Sequence, residues 1–496
     1  MTCEIQTDTS TKFTKDILWV GLSQVLIYLF SFFTIPILTK TYGTEIYGLW
    51  SQIWVTVCLL NPILTLHLGT AIVRYLSAED NKEILSQSFS NMFWFIVLVV
   101  SITITLSFLF NTNLAVLLFN NSIYISLIIT TFVWAGTGAL FAYLISYLRS
   151  KGGIKELSLI NIICFAFKFI VLFILSLLGL SIELIIISQI IVEIIFIIFM
   201  VISITKKIGF SSPNKTNLKK YLSFSIPQIP SGALLWIINS SDRFFITSYL
   251  GLSQTGIYSA SYSIGSIISI FYIPTSFVIF PVISRFWEKN EILSVKKYLE
   301  YSTKLFLFLA IPSSVGLYIL SKPILQIFTT SEFLVGGGSL TFLIALSTIF
   351  LGIYQINLYL ICLIEKTKFI PLIVGLSAFI NIILNVVLIP TIGIMGAAIS
   401  TVLSYGILAI ITLIWAGKRV NYRFDFIFLL KTSIASAIMF LIIKVVSSNN
   451  ILNLSITIII GAITYLTLIL ILKTFSNDEK KAFNDVISNF KAILFH

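Results

Sequence analysis

The sequence has very few charged residues and almost no histidine. Of its 496 residues only 10% are Asp, Glu, Lys or Arg, while 57% are hydrophobic and the mean hydropathy is +1.02. Soluble domains carry about 25% charged residues, so a soluble protein of this size is excluded. There are two histidines, His67 and the C-terminal His496, which leaves no His-rich metal or catalytic site.

Cysteine and nucleotide-binding motifs are equally scarce. The four cysteines are scattered and show neither disulfide nor metal spacing. No glycine-rich phosphate loop is present, so we expect no cofactor and no direct use of ATP. The internal loops are at most about twenty residues long. This disfavours a membrane enzyme, such as a glycan polymerase or acyltransferase, with a large extramembrane loop.

Long apolar runs make up most of the chain. Fourteen are long enough to cross a membrane, because a helix of about 20 apolar residues spans the hydrocarbon core. The sequence therefore predicts an all-α polytopic membrane protein with 14 transmembrane helices. The first two spans are expected at residues 16–38 and 46–73, the seventh at 221–250, and a charged loop at 285–304.

The loop charges support this count. With the N-terminus in the cytoplasm, inside loops hold 27 of the 32 Lys and Arg residues, and outside loops hold three. Such asymmetry is typical of cytoplasmic loops, so we expect a multi-pass protein of the cell (inner or cytoplasmic) membrane with both termini cytoplasmic. It also explains the net charge of +12 without nucleic acid as a partner.

The two halves of the chain resemble each other weakly. Tyr47 matches Tyr258, Lys155 matches Lys368 and Gly179 matches Gly393, at separations of roughly 211 to 214 residues, and the Tyr42-Gly43 and Leu250-Gly251 turns precede the matched spans. Since six spans separate the copies, both have the same orientation, which predicts a pseudo-two-fold, parallel repeat. The predicted domains are an N-lobe of helices 1–6 (1–205), a cytoplasmic linker (206–220), a C-lobe of helices 7–12 (221–416), helices 13 and 14 (417–473) and a cytoplasmic tail (474–496).

Several short motifs occur in a fixed order along these spans. They are FTIPIL at 33–38, Tyr42-Gly43, Tyr47-Gly48, GTAIVRY at 69–75, Pro227 and Pro230, NSSDR at 239–243, GIYS at 256–259, NIILN at 381–385, and Pro390, Gly393 and GAA at 396–398. In combination they resemble the polysaccharide transporter branch of the multidrug/oligosaccharidyl-lipid/polysaccharide (MOP) exporter superfamily, of the O-antigen (Wzx-like) flippase type. The resemblance covers roughly residues 12–416. His67 departs from the small polar or acidic residue expected before Gly69.

The resemblance implies a transporter and not an enzyme. Two six-helix lobes would surround a central cavity and work by alternating access. The cargo would be a polyprenyl-diphosphate-linked glycan, moved from the cytoplasmic to the outer leaflet for surface polysaccharide biosynthesis. A monomer among membrane lipids, in contact with polysaccharide assembly proteins, is the arrangement it suggests.

Three basic residues are candidates for contact with an anionic diphosphate. Lys168 and Arg243 are the basic residues that we place inside the bilayer, and Arg74 lies at the cytoplasmic end of the second span. A charge at the centre of a membrane helix costs roughly 2.5–3.5 kcal/mol on insertion scales, so a retained charge suggests function. Charge-assisted hydrogen bonds to phosphate give these residues a role in substrate binding.

Acidic and amide side chains complete the candidate site. Asn239, Asn381 and Asn385 are predicted to bind substrate, and Glu193 and Asp242 to couple transport to a proton or sodium, or to gate the cavity. Simpler interpretations remain open. The two later asparagines would dock helices through interhelical hydrogen bonds, Lys168 would pair with Glu193, and Asp242 and Arg243 would lie near the outer headgroups.

Three other functions compete with the flippase. A cation-coupled multidrug exporter of the same superfamily would favour acids over bases in its cavity, because its cargo is cationic. The retained Lys168 and Arg243 argue against it. A membrane enzyme lacks its catalytic set here, and an uncoupled lipid scramblase remains open.

Overall fold

A computed structural model describes residues 2–212, 218–364, 366, 368–420, 424–446 and 451–475. Lys215 of the predicted linker and residues 476–496 of the predicted tail lie outside the described residues. The described residues form helices joined by short turns, with no strand among them. The helices are α1 (Thr2–Leu64), α2 (Leu68–Leu76), α3 (Lys82–Leu109), α4 (Asn111–Phe119), α5 (Ile125–Ser150), α6 (Ile154–Leu177), α7 (Ile182–Ile208), α8 (Leu218–Ser225), α9 (Ile229–Leu250), α10 (Leu252–Gly265), α11 (Ser269–Glu288), α12 (Ile292–Phe328), α13 (Gly337–Leu363), α14 (Phe369–Ile392), α15 (Ile394–Val420), α16 (Phe426–Val446) and α17 (Ile451–Ile471).

The helices confirm the predicted all-α membrane architecture. Within the described ranges, thirteen are long and apolar enough to cross a membrane. Many of them keep large apolar side chains on their outer surface, such as Ile195 and Phe199 of α7, each 58% exposed. Such surfaces suit contact with lipid, because a helix that is apolar all round needs an apolar environment.

The first of these thirteen helices contains two of the fourteen predicted spans. Its apolar part, Leu18–Leu64, has 47 residues and would measure about 70 Å as one straight helix, more than twice the roughly 30 Å of a hydrocarbon core. At Gly43 the backbone leaves the helical conformation, with φ 77° and ψ −168°, a region open mainly to glycine. Gly43 therefore separates two arms of α1, at the turn expected between the first two spans.

The second arm of α1 crosses the start of α10 at very short range. A Cβ atom on Gly48 would overlap the carbonyl of Leu252, and one on Gly256 would overlap the carbonyl of Thr44. Hydroxyl pairs flank this contact, Thr44 with Ser253 and Ser51 with Ser259, both at 2.7 Å. Small residues let membrane helices approach closely, and their hydroxyls add interhelical hydrogen bonds.

This crossing joins residues whose separation is close to the spacing of the predicted repeat. Its three contacts connect Thr44 with Ser253, Gly48 with Gly256 and Ser51 with Ser259, at separations of 208 or 209 residues. A separation of 208 residues also relates Gly43 to Gly251, and both have positive φ. The repeat itself stays a prediction.

One predicted loop is helical. The charged segment 285–304 is mostly divided between α11 and α12, which are separated only by a turn at residues 289–291, where Asn290 has φ 60°. Charged residues here extend the helices past their apolar part. The helix break expected from Pro227 and Pro230 is present. A short 3₁₀ turn at Ile226–Gln228 separates α8 from α9.

The chain divides into two compact units. The N-terminal unit comprises Met1–Ser259 with Phe328–Thr330, and the C-terminal unit comprises Ala260–Ile327 with Ser331–His496. The lobe boundaries drawn from the sequence stay a prediction. The polar clusters and the cavity described below each lie within one unit.

Candidate functional site

Asp242 and Arg243 form a buried polar cluster on α9, in the N-terminal unit. Asp242 is fully buried and Arg243 is 6% exposed. Nη1 of Arg243 donates hydrogen bonds to Oδ1 of Asp242 at 3.1 Å and to the backbone carbonyl of Asn239 at 3.0 Å. The Tyr258 hydroxyl donates to Oδ2 of Asp242, and the guanidinium carbon lies 5.7 Å from the Tyr258 ring centroid.

The candidate carboxylate and base of this cluster therefore compensate each other. The aspartate has a cation on one oxygen and a hydroxyl on the other. Because an unpaired ion in an apolar environment is costly, this pairing explains how both charges are retained in a membrane helix. The predicted residues Asn239, Asp242 and Arg243 are thus brought together, while their contact with a substrate stays a prediction.

Next to this cluster lie polar residues that sequence reasoning missed. The Thr247 hydroxyl is 2.8 Å from the Thr255 hydroxyl and donates to Oε1 of Gln52 at 3.4 Å. The side chain of Gln52 is fully buried, and its Nε2 has no hydrogen-bond partner among the residues that the structure describes. The only signal in the sequence was an amide inside an apolar span, which cannot reveal its neighbours.

Lys168 and Glu193 form a second buried cluster in the same unit. Nζ of Lys168 lies 2.6 Å from Oε1 of Glu193, and the Thr137 hydroxyl donates to Oε2 at 2.6 Å. Gln189 donates to the backbone carbonyl of Lys168 at 3.2 Å. The pairing left open by the sequence is therefore present, and it links α5, α6 and α7. The contact with Thr137 was not predicted.

The remaining candidates lie apart from these two clusters. Arg74 is exposed at the end of α2, with its guanidinium carbon 4.4 Å from the Phe224 ring centroid. Asn381 and Asn385 are fully buried on α14 in the C-terminal unit, where Nδ2 of Asn385 donates to Oδ1 of Asn381 at 3.0 Å. The two amides thus form a hydrogen bond with each other along one helix. Among the described residues, Oδ1 of Asn385 has no hydrogen-bond partner.

A large apolar cavity lies in the C-terminal unit. It has a volume of about 950 Å³ and is bounded by α12, α13, α15, α16 and the residues before α16. Its walls are lined by Leu307, Ile311, Ser314, Val315, Tyr318, Phe342, Leu346, Ile349, Phe350, Ile353, Ala409, Ile410, Leu413, Ile414, Gly417, Phe424, Phe426, Leu429, Ser433, Ser436, Ala437 and Phe440.

The polar groups of the cavity walls offer little to a polar ligand. The hydroxyls of Ser314 and Ser436 donate back to carbonyls of their own helices, at 2.7 and 2.8 Å. From Leu307 to Tyr318 the cavity follows twelve residues of α12, about 16 Å, or roughly half of a hydrocarbon core. The sequence analysis did not predict this cavity. Its walls come from five segments, and none of them is distinguished in sequence from any other apolar helix.

The buried ionisable side chains of the N-terminal unit are placed so that their charges compensate each other. Across the ranges that the structure describes, no group of three or more His, Cys, Asp or Glu side chains could hold a metal ion. A carboxylate with one base and one hydroxyl donor occurs twice instead, at Asp242 and at Glu193.

Comparison with known proteins gives matches along most of the chain. Residues 13–287 match a family model described as polysaccharide biosynthesis protein, and residues 227–387 match the MatE model. A probable low-salt glycan biosynthesis flippase, Agl15 of Haloferax volcanii, is 24% identical over 267 residues, which are 53% of this chain and 56% of that protein. An uncharacterized membrane protein of Methanocaldococcus jannaschii is 28% identical over 226 residues, 44% of either chain. The chain thus spans about half the length of these curated relatives.

Solved structures show the same fold. The lipid II flippase MurJ in an inward closed conformation matches with a TM-score of 0.77 at 21% identity, over 91% of this chain and 98% of that one. An inward-facing MATE multidrug transporter of the MOP superfamily matches with a TM-score of 0.65 at 14% identity, over 80% and 94%. At such identities the likeness concerns the fold alone.

Proposed function

Because the chain belongs to the polysaccharide biosynthesis protein family of the MOP superfamily, we propose that it is a flippase for a polyprenyl-diphosphate-linked oligosaccharide. It moves this lipid from the cytoplasmic to the outer leaflet by alternating access, for the synthesis of a surface polysaccharide. A proton or sodium ion couples the transport at Asp242 or Glu193.

The observation that carries this proposal is the apolar cavity of the C-terminal unit. A polar glycan gains nothing from its walls, whereas an isoprenoid chain buries apolar surface against them. Ile410 and Ile414 of this lining are 54% and 55% exposed, so they offer apolar surface to a hydrocarbon chain. A ligand with a long hydrocarbon tail fits both properties, and a tail is the part of the cargo that all polyprenyl-linked glycans share.

The buried base Arg243 supports the anionic part of the cargo. Arginine binds phosphate through a planar fork of donors, which lysine lacks. Its neighbours Asp242 and Tyr258 fix the guanidinium in one orientation. In this proposal the phosphate of the cargo approaches that face of α9 during transport.

Glycan export in a strain that lacks its own surface-polysaccharide flippase tests the function. The wild-type chain should restore surface glycan, Arg243→Ala should abolish it while still inserting into the membrane, and Arg243→Lys should retain part of it. For the cavity, Ala437→Trp fills the space and should lower export about tenfold. Ile438→Trp, which adds the same side chain to a neighbouring exposed position of α16, should leave export unchanged.

A multidrug exporter of the same superfamily is the second candidate. The MatE model matches residues 227–387, and a cavity of 950 Å³ also has the size of a drug site. Resistance to cationic drugs without restored glycan would favour this candidate. In that case Arg243→Ala should leave the resistance intact, since a base does not attract a cationic drug.

A further inference from the structure

Two cations share one aromatic platform at the end of α2. Nζ of Lys220 lies 4.6 Å from the ring centroid of Tyr75, and the guanidinium carbon of Arg74 lies 5.6 Å from the same centroid. The Tyr75 ring packs against those of Phe224 and Tyr221, with centroids 5.6 and 5.5 Å apart. These five residues, from α2 and α8, are called the Arg74–Lys220 cluster below.

Contacts with buried residues hold the aromatic rings in place, while the two cations are exposed. The hydroxyl of Tyr221 lies 2.9 Å from that of buried Ser88 on α3. The end of α2 is held by Lys151, whose ammonium group donates to the carbonyls of Leu76 and Glu79 at 2.7 and 2.6 Å. Arg74 and Lys220 are both exposed, so the aromatic rings position two charged groups that water or a ligand can reach.

Within the described ranges, no acidic side chain forms an ion pair with either of these two cations. The ion pairs found there have Lys168, Lys207, Arg243, Lys296 and Lys304 as their bases. Arg74 and Lys220 belong to none of them. Aromatic faces attract each cation, but two like charges near one ring repel each other. A bound anion would remove that repulsion.

We propose that the Arg74–Lys220 cluster is a docking site for the phosphate group of a lipid. Arginine offers a fork of donors and lysine a compact charge, which together suit a phosphate or diphosphate. The loop charges place the end of α2 and the start of α8 on the cytoplasmic side, where anionic headgroups lie. Both the polyprenyl diphosphate cargo and an ordinary anionic phospholipid carry this chemistry.

As an entry site for cargo, this cluster rests on the proposed flippase function. Its α8 residues precede the 3₁₀ turn at Ile226–Gln228, whereas Arg243 lies beyond that turn on α9. A diphosphate that first binds at the cluster would thus meet Arg243 farther along the same broken span. The aromatic platform, and the placement of Lys220 beside Arg74 on it, are the parts of this site that the sequence did not indicate.

Lipid binding to the purified full-length chain in phosphatidylcholine nanodiscs tests the site. The probes are a polyprenyl diphosphate, the corresponding polyprenol without phosphate, and phosphatidylglycerol, each quantified by native mass spectrometry. Arg74→Gln and Lys220→Gln should each weaken diphosphate binding about fivefold, and the double variant more than twentyfold, as expected for exposed charge-assisted contacts. Lys219→Gln removes an exposed neighbouring charge from α8 and should change binding less than twofold.

A second variant separates geometry from charge. Tyr75→Leu with Phe224→Leu keeps both cations but removes the rings that position them, so diphosphate binding should fall while polyprenol binding stays constant. If Lys219→Gln weakens binding as much as Lys220→Gln, or if polyprenol binds as tightly as the diphosphate, the docking site is wrong.

The remaining outcomes distinguish the two lipids and the two proposals. Phosphatidylglycerol could bind as tightly as the polyprenyl diphosphate, in a way that depends on Arg74 and Lys220. That result would support a phosphate site whose ligand is an ordinary headgroup, and would overturn its role in cargo entry. Wild-type chain that binds lipid phosphate at the cluster but exports no glycan would keep the site and overturn the flippase. Normal export, combined with wild-type binding in the double variant, would overturn the site alone.

Discussion

The N-terminal unit has two buried ion pairs, whereas the described ion pairs of the C-terminal unit are partly exposed. Lys168 with Glu193 and Asp242 with Arg243 are at most 7% exposed in the first unit. In the second, the described ion pairs Lys296–Glu300 and Lys304–Asp425 have side chains between 18% and 35% exposed.

This difference shows how an apolar protein accommodates ions. Each buried carboxylate of the N-terminal unit has a base on one oxygen and a hydroxyl donor on the other, from Thr137 or Tyr258. Complete local pairing is what makes a buried ion tolerable. The C-terminal unit contains instead an open cavity whose walls are mostly apolar.

The largest effect on stability is expected when one member of a buried ion pair is removed. Glu193→Ala leaves the ammonium group of Lys168 buried without a counter-ion and should lower the free energy of unfolding by roughly 3–5 kcal/mol. Thermal unfolding in detergent measures this loss. The double variant Lys168→Met with Glu193→Leu replaces both charges and should recover most of the stability. A double variant as unstable as the single one would mean that packing, and not charge, was lost.

If the recovered double variant exports no glycan, the pair acts in transport as well as in folding. Normal export would leave it a structural link among α5, α6 and α7.

The glycine crossing offers a test of intermediate size. In Gly256→Ala the new Cβ overlaps the carbonyl of Thr44 on the second arm of α1, so the helices must separate. The expected loss of stability is roughly 1–3 kcal/mol. Gly316→Ala is the matched control in α12 of the other unit, because nothing lies within 4 Å of its Cβ position. It should stabilise the helix by roughly 0.5–1 kcal/mol. Equal effects of the two substitutions would contradict a close crossing.

The smallest expected effect concerns the exposed pair Lys304–Asp425. Burial raises the pKa of Asp425, but hydrogen bonds from Lys304 and the backbone N–H of Phe428 outweigh it and hold this pKa below the usual 3.8. The carboxylate therefore stabilises the fold at pH values above about 4, and its contribution disappears as the pH falls below the folded-state pKa.

Asp425→Asn tests this pH dependence, since asparagine keeps the cap on Phe428 while losing the charge. Unfolding experiments should show a difference below about 1 kcal/mol at pH 7, because exposed ion pairs contribute little. The difference should vanish in acid. A difference that stays constant down to acidic pH would assign the effect to packing.

Much of the fold could be predicted from the sequence, but little of the site geometry. Run length and loop charge predicted the all-α membrane architecture, and glycine and proline predicted the breaks near Gly43 and Pro227. The prediction of a loop at 285–304 was wrong. A run of charged residues indicates where a helix leaves the apolar layer, and the helix itself can continue beyond that point.

Side-chain partners depend on how helices pack, which periodicity does not reveal. Lys168 could be paired with Glu193 because both are rare charges at similar depth. The bond from Tyr258 to Asp242 and the orphan amide of Gln52 have no such signal, since tyrosine and glutamine occur in many membrane spans for other reasons. In the sequence, the segments that form the cavity walls are indistinguishable from other apolar helices.

The close contact between Gly48 and Gly256 also bears on the ancestry of the chain. Residues separated by nearly the spacing of the predicted repeat meet each other there, as happens where a two-fold axis passes through the interface of a symmetric dimer. A gene for a half-length protein that paired with its own copy through this surface would, after duplication and fusion, give such a crossing. In that ancestor one glycine codon would have served both sides of the contact, whereas in the fused chain each side can change independently.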